Sequence, residues 1–175
     1  MTIKAIRVSL KKDPVYLRLL ETVEAISATV NQERIAQEAK TLHSGRTSRK
    51  LYKVAMRPQP IYEAITVDLK TRARLVELQA SILLNSSALS QALKETKKYL
   101  SVKYQEEIAD LASNQAGRTA VVDRLLQAPI ECLAMLEGTE ALLNLYITDL
   151  DKAGYGLTNV TNLLRTLLER NSQVV

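Results

Sequence analysis

Apolar residues recur every three or four positions along most of the chain, which is the spacing of amphipathic helices. The clearest helix start is Asp13-Pro14, because an aspartate can cap the first backbone amides and a proline is preset for the first helical position. From there an apolar stripe continues to Leu42 and predicts one helix of about seven turns or two shorter ones. Gly45 is expected to end it in a left-handed cap.

A second long helix is predicted to open near Pro60 and to end at the turn signal Asn85-Ser86-Ser87, which would also cap a third helix. Leu75 and Ile82 are expected to flank the apolar stripe of the second helix. The stripe itself comprises Ile61, Ile65, Leu69, Val76 and Leu83.

Three further turns are predicted in the last third of the chain, at residues 113–117, 138–139 and 154–156. Thr119 and Thr158 are expected to cap the helices that follow the first and third of these turns. In residues 2–10 the apolar periodicity is too brief to distinguish a strand from a helix, and no hairpin signal occurs along the chain. The predicted fold is all-α, a compact helical bundle of about six to seven helices.

Charge is distributed unevenly along the chain. The net charge is +5, with +2 in residues 1–42, +8 in residues 43–104 and −5 in residues 105–175. A surface that only keeps a protein in solution would intersperse its signs, so the basic middle and the acidic end are expected to meet different partners, a polyanion and protein. Within a single helical domain, 1–175, this favours a basic N-terminal subdomain, 13–104, and an acidic C-terminal subdomain, 105–175.

The basic segment, residues 45–60, holds the densest group of cations. In a helix, Leu51, Val54 and Ala55 would form an apolar back, and the cations Arg46, Lys50, Lys53 and Arg57 would line another face. Such an edge suits a phosphate backbone, and a solvated face on an ordinary surface helix is the alternative. The candidate nucleic-acid contacts are Arg46, Arg49, Lys50, Lys53, Arg57, Lys70, Arg72, Arg74, Lys94, Lys97 and Lys98.

Two tyrosines, Tyr99 and Tyr104, lie close to these cations in the sequence. Aromatic side chains beside a basic surface can stack on unpaired bases. The favoured alternative is that both rings pack at helix contacts and leave their hydroxyls exposed.

Catalytic groups are sparse. The only histidine, His43, is expected to satisfy the last carbonyls of a helix, and the only cysteine, Cys132, to pack as a small hydrophobe. No Cys/His cluster has metal-ligand spacing, and Gly154-Tyr155-Gly156 lacks the third glycine of a dinucleotide loop. We expect no enzymatic activity, cofactor or metal. The absence of an apolar run of about 18 residues and of a signal-peptide core predicts a soluble, cytoplasmic protein.

The run from Ser48 to Pro58, SRKLYKVAMRP, is similar to part of the helical C-terminal region of the large subunit in type I-D CRISPR systems. A small, basic, all-helical chain without catalytic groups resembles the small subunit of Cascade-type CRISPR effector complexes. The resemblance implies a helical bundle, repeated in several copies, that lines the path of the guide RNA or of the displaced target strand.

The sequence therefore predicts a non-catalytic subunit of a multi-protein ribonucleoprotein assembly. Its partners would be the backbone of RNA or single-stranded DNA, other protein subunits and copies of itself, with no membrane. The alternative is a structural or adaptor protein of a phage or secretion system whose basic face binds an acidic protein partner.

Overall fold

A computed structural model describes residues 3–45 and 58–172, which form helices and no strand. The prediction of an all-α fold with about six to seven helices is confirmed. Within these residues the structure has seven helices, which are α1 (Ile3–Leu10), α2 (Pro14–Thr29), α3 (Gln32–Ser44), α4 (Pro58–Lys103), α5 (Gln105–Leu111), α6 (Gln115–Leu125) and α7 (Gln127–Ser172).

The chain divides into two compact units. The first unit comprises Met1–Gln32 and Ser81–Thr139, and the second comprises Glu33–Ala80 and Glu140–Val175. Each unit takes residues from both sides of residue 104, so the packing units do not follow the charge division of the sequence. The long helices α4 and α7 contribute to both units.

The start signal at Asp13 works as predicted. One carboxylate oxygen of Asp13 accepts hydrogen bonds from the amides of Val15 at 2.9 Å and Tyr16 at 3.4 Å, with Pro14 at the first helical position. Val30 then takes an extended conformation and ends α2, so the two-helix alternative is the one observed.

The left-handed cap predicted at Gly45 is wrong. Its φ is not positive, and its amide donates to the Thr41 carbonyl at 3.0 Å, as in a continuing helical turn.

The turn predicted at Asn85-Ser86-Ser87 is wrong, because α4 runs without interruption for 46 residues. Asn85 Nδ2 donates to the Ser81 carbonyl at 2.8 Å, and Ser86 Oγ donates to the Leu83 carbonyl at 3.1 Å. Both polar side chains therefore bond to the preceding turn of the same helix and do not terminate it.

The buried positions of α4 alternate at spacings of three and four residues. In the second unit they are Ile61, Ala64, Asp68, Thr71, Leu75 and Leu78. This is a heptad seam with polar members. The predicted stripe is wrong over Leu69, Val76 and Leu83, which are exposed, whereas the predicted flanking residues Leu75 and Ile82 are fully buried.

Helix α7 also continues through both of its predicted turns, at residues 138–139 and 154–156, so these predictions are wrong. A glycine within a helix costs about 1 kcal/mol relative to alanine. Burial of a leucine side chain contributes about 1.5–3 kcal/mol, which outweighs that cost. The buried leucines of α7 recur every seven residues, at Leu136, Leu143, Leu150 and Leu157.

Asn114, and not the predicted Thr119, caps α6: its side-chain oxygen accepts from the Gly117 amide at 2.7 Å. Thr119 lies inside α6 and donates to the Gln115 carbonyl. Thr158, the other predicted cap, lies inside α7 and donates to the Gly154 carbonyl.

Gly138→Ala is expected to raise the free energy of unfolding by about 0.5–1 kcal/mol, because alanine favours a helix and a Cβ there meets nothing within 4 Å. Gly117→Ala is the matched control. Its Cβ would lie 2.9 Å from the Ala112 Cβ and from the capping oxygen of Asn114, so it should lower stability. Urea titration of both variants measures the difference, and destabilisation by Gly138→Ala would argue against an uninterrupted α7.

Candidate nucleic-acid interface

The eleven predicted contact residues fall into three groups. The cations of the basic segment, namely Arg46, Arg49, Lys50, Lys53 and Arg57, lie outside the described residues. The other six all lie on α4. Lys70, Arg72 and Arg74 belong to the second unit, and Lys94, Lys97 and Lys98 belong to the first.

In the second unit, two of the predicted cations are bound to carboxylates. Arg72 donates twice to Asp151, from Nε at 2.6 Å and from Nη2 at 3.3 Å. Arg74 donates from Nε to Glu38 at 2.8 Å and from Nη1 to Glu77 at 3.0 Å. Hydrogen bonding to Asp151 raises the pKa of Arg72, and hydrogen bonding to Glu38 raises the pKa of Arg74. A phosphate would have to displace these partners.

Lys97, in the first unit, pairs with Asp123 at 2.8 Å. Lys70, Lys94 and Lys98 are exposed and form no ion pair within residues 3–45 and 58–172. These three lysines are therefore the predicted contacts on α4 whose charge is open to an external anion.

The excess positive charge of the chain is concentrated in the basic segment. Residues 45–60 contain five Lys/Arg and no Asp/Glu, so their net charge of +5 equals that of the whole chain. The remaining residues balance to zero. This agrees with the pairing seen on α4, where three of the six predicted cations, Arg72, Arg74 and Lys97, face a carboxylate.

Tyr99 and Tyr104 are engaged in a buried polar cluster in the first unit. The Asp13 carboxylate, which is fully buried, lies 2.6 Å from Lys103 Nζ. The same carboxylate oxygen accepts from the Tyr99 hydroxyl at 3.2 Å and from the Tyr104 hydroxyl at 3.5 Å. The two hydroxyls are thus bound to a carboxylate, which differs from both predicted roles, base stacking and packing with exposed hydroxyls.

The pKa shifts of Asp13 and Lys103 both favour the charged forms that make up their ion pair. Burial alone would raise the pKa of Asp13, but the Lys103 ammonium and the amides of Val15 and Tyr16 outweigh it and hold that pKa below its usual value. Hydrogen bonds to Asp13 and Tyr99 raise the pKa of Lys103. Asp13 is therefore charged near neutral pH, and its role is to join the start of α2 to the end of α4.

His43 lies in the second unit beside α7. Its Nε2 is 2.7 Å from an Asp149 oxygen, and its ring stacks on Tyr146 with centroids 4.3 Å apart and planes inclined by 15°. The predicted role, satisfying helix carbonyls, does not include this contact. The two partners are separated by 106 positions, so no local pattern in the sequence indicates it.

The described part of the chain contains no group of three or more His, Cys, Asp or Glu placed to hold a metal ion. No helix within it combines the length and apolar character needed to cross a membrane. No protein-family model, curated protein or solved structure matches the chain.

Proposed function

We propose that the protein is a non-catalytic, cytoplasmic helical subunit of a multi-protein ribonucleoprotein assembly that binds the backbone of RNA or single-stranded DNA. The observation that carries the proposal is the concentration of the entire net charge, +5, in the basic segment. A nucleic-acid strand carries a regular series of negative charges, and a dense group of Lys and Arg binds it by releasing its counterions.

The cations of α4 support this proposal to different degrees. Lys70, Lys94 and Lys98 are exposed and available. Arg72 and Lys97 are engaged with carboxylates, but their side chains remain 44% and 40% exposed. An exposed ion pair contributes at most about 1 kcal/mol, so a phosphate can replace the carboxylate at small cost.

The variant Lys50→Ala/Lys53→Ala/Arg57→Ala tests the proposal. If these cations meet phosphates of a single strand, the slope of log affinity against log salt should become shallower by about 2, since each neutralised phosphate contributes about 0.7. Affinity should fall alike for all oligonucleotide sequences. Fluorescence anisotropy at several salt concentrations, starting at low salt, measures both quantities.

A matched control removes the same charge elsewhere. Lys152, Arg165 and Arg170 are exposed on α7, so their triple alanine variant also loses three charges. Its salt slope should stay close to that of the wild type. Equal loss in the two triple variants, or no loss in either while the wild type binds, would contradict a phosphate contact at the basic segment.

A second candidate function is the structural or adaptor role, which exposed apolar side chains favour. Tyr62, Leu69 and Val76 recur every seven residues on α4 and are exposed, and Tyr155 of α7 is also exposed. An exposed apolar surface of this kind is typical of protein contacts. In both candidate functions the protein is part of a larger assembly. In the adaptor function, the basic segment would bind an acidic protein in place of a nucleic acid.

The two functions differ in what accompanies the native protein. The form of ribonucleoprotein assembly that we propose first is a Cascade-type CRISPR complex with several copies of the small subunit. In that case, RNA and other effector subunits should co-purify with the protein. A virion or secretion assembly without nucleic acid bound to this chain would favour the adaptor function.

A further inference from the structure

A cleft of about 290 Å³ lies within the first unit. It is formed by α1, the first turn of α2, the end of α6 and the start of α7. The polar side chains that line it are Arg7, Lys11, Tyr16, Arg124, Gln127 and Glu131, and Leu10 and Leu125 add buried apolar surface. None of these residues belongs to the contacts predicted from the sequence, because Arg7 and Arg124 are 117 positions apart.

The lining of this cleft is positively charged. Arg7, Lys11 and Arg124 are exposed, and within the described part of the chain none of the three forms an ion pair. Glu131 is the one carboxylate in the lining, and it accepts a hydrogen bond from Gln127 Nε2 at 2.8 Å. The net charge of the lining is therefore +2. A concave surface of one sign concentrates ions of the opposite sign, so the cleft favours an anion.

Arg7 is already oriented in this cleft. Its Nη2 donates to the backbone carbonyl of Arg124 at 3.0 Å, which brings the guanidinium of α1 to the end of α6. A guanidinium has five N–H donors, so one bond to a carbonyl leaves donors for an anion. Arginine binds the oxygens of phosphate in a bidentate geometry, and the Lys11 ammonium adds a compact second charge.

The cleft is larger than a simple anion requires. A water molecule occupies about 30 Å³ in the liquid, whereas small-molecule sites begin at about 300 Å³. Tyr16, which is half-buried, is the aromatic residue of the lining and provides surface for a planar, apolar group. Base–aromatic stacking contributes about 1–3 kcal/mol per base. The lining thus matches a phosphate ester joined to an aromatic ring.

We infer that this cleft binds one nucleotide unit, with the phosphate at Arg7, Lys11 and Arg124 and the base against Tyr16. The nucleotide can come from two sources, a free mononucleotide or a unit of a nucleic-acid strand. The inference does not rest on the basic segment, since the cleft and that segment share no residue. Glu131 would disfavour additional negative charge at the site.

Adenosine 5′-monophosphate and a five-nucleotide oligouridine are the probes, titrated into the full-length protein at low salt by calorimetry. For whichever probe binds, Arg7→Ala/Lys11→Ala should weaken binding about tenfold or more, since two charge-assisted contacts are lost. Lys12→Ala/Arg18→Ala is the matched control. It removes two exposed cations of the same region that do not line the cleft, and it should change affinity by about twofold at most.

Two further variants separate binding from folding. Lys11→Ala alone leaves the Arg7 contact intact and should still weaken binding several-fold, and Glu131→Gln should strengthen it by removing a negative charge. Tyr16→Ala should weaken binding of the mononucleotide but not of inorganic phosphate. Circular dichroism checks that each variant keeps its helix content.

Each result decides the inference. Mononucleotide binding that depends on Arg7 and Lys11 supports a free nucleotide as the source, and oligouridine binding with the same dependence supports a strand. The inference is overturned if the folded wild type binds neither probe at millimolar concentration. Equal effects of the cleft variant and its control would also overturn it. The variant in Lys50, Lys53 and Arg57 should leave mononucleotide binding unchanged, so failure of either proposal is visible without the other.

Discussion

Leu75→Ala is expected to lower the free energy of unfolding by about 2–5 kcal/mol, and Leu69→Ala by about 0.5 kcal/mol beyond the difference in helix propensity. Both leucines lie on α4 in the second unit. Leu75 is 0% exposed and Leu69 is 61% exposed. Truncating the first leaves a cavity, whereas truncating the second removes a side chain that is mostly in water.

The pair is matched because the same atoms are removed from the same helix, so the change in helix propensity is shared. Urea titration followed by circular dichroism gives both free energies. The stripe predicted from the sequence includes Leu69 and places Leu75 at its flank. It would therefore predict a larger loss of unfolding free energy for Leu69→Ala than for Leu75→Ala. A larger loss for Leu69→Ala would show that the buried face of α4 has been assigned to the wrong side.

The helical fold was predictable because its signals are local. The cap at Asp13-Pro14 and the spacing of apolar residues operate within a few positions of each other. The buried face of α4 was not predictable in this way, because the polar residues Asp68 and Thr71 occupy two of its positions. A stripe chosen by hydrophobicity alone therefore shifts to the neighbouring face, where Leu69 and Val76 are exposed.

The false turns have a related cause. Side chains predicted to mark a turn or to cap a helix, such as Asn85 and Thr158, bond to carbonyls of the preceding helical turn. Glycines at 138 and 154 are tolerated because the same helix buries leucines at regular intervals. Local propensity is weaker than this summed burial, so a break predicted from one or two residues fails in a helix of 46 residues.

Some features of the candidate sites can be predicted from the composition of the sequence, and others require the tertiary structure. The position of the excess positive charge follows from counting residues. The partners of individual cations do not, because Arg72 and Asp151 are 79 positions apart and Arg7 meets the Arg124 carbonyl across 117. Counting charges along the sequence therefore does not predict the cleft at Arg7.

Asp13→Ala is expected to lower the free energy of unfolding by about 2–4 kcal/mol, because it removes a helix cap and the acceptor of a buried cluster. Asn114→Ala is the control for the cap, since Asn114 caps α6 in the same unit through one exposed bond and should cost about 1 kcal/mol. The excess for Asp13 measures its bonds to Lys103, Tyr99 and Tyr104. Equal losses in the two variants would mean that the cluster contributes nothing beyond the cap.

The pH dependence of the same site gives a second, independent measurement. The pKa of Asp13 is lower in the folded protein, so its contribution is present above the unfolded pKa of about 3.9 and is lost as the pH falls through the folded value. The pKa of Lys103 is raised on folding, so the Lys103 contribution is lost only as the pH rises through that raised value. Asp13→Asn keeps an oxygen that can cap α2 but removes the charge. Its stability should therefore fall below that of the wild type near neutral pH and approach it in acid, and a constant difference between pH 7 and pH 3 would contradict the ion pair.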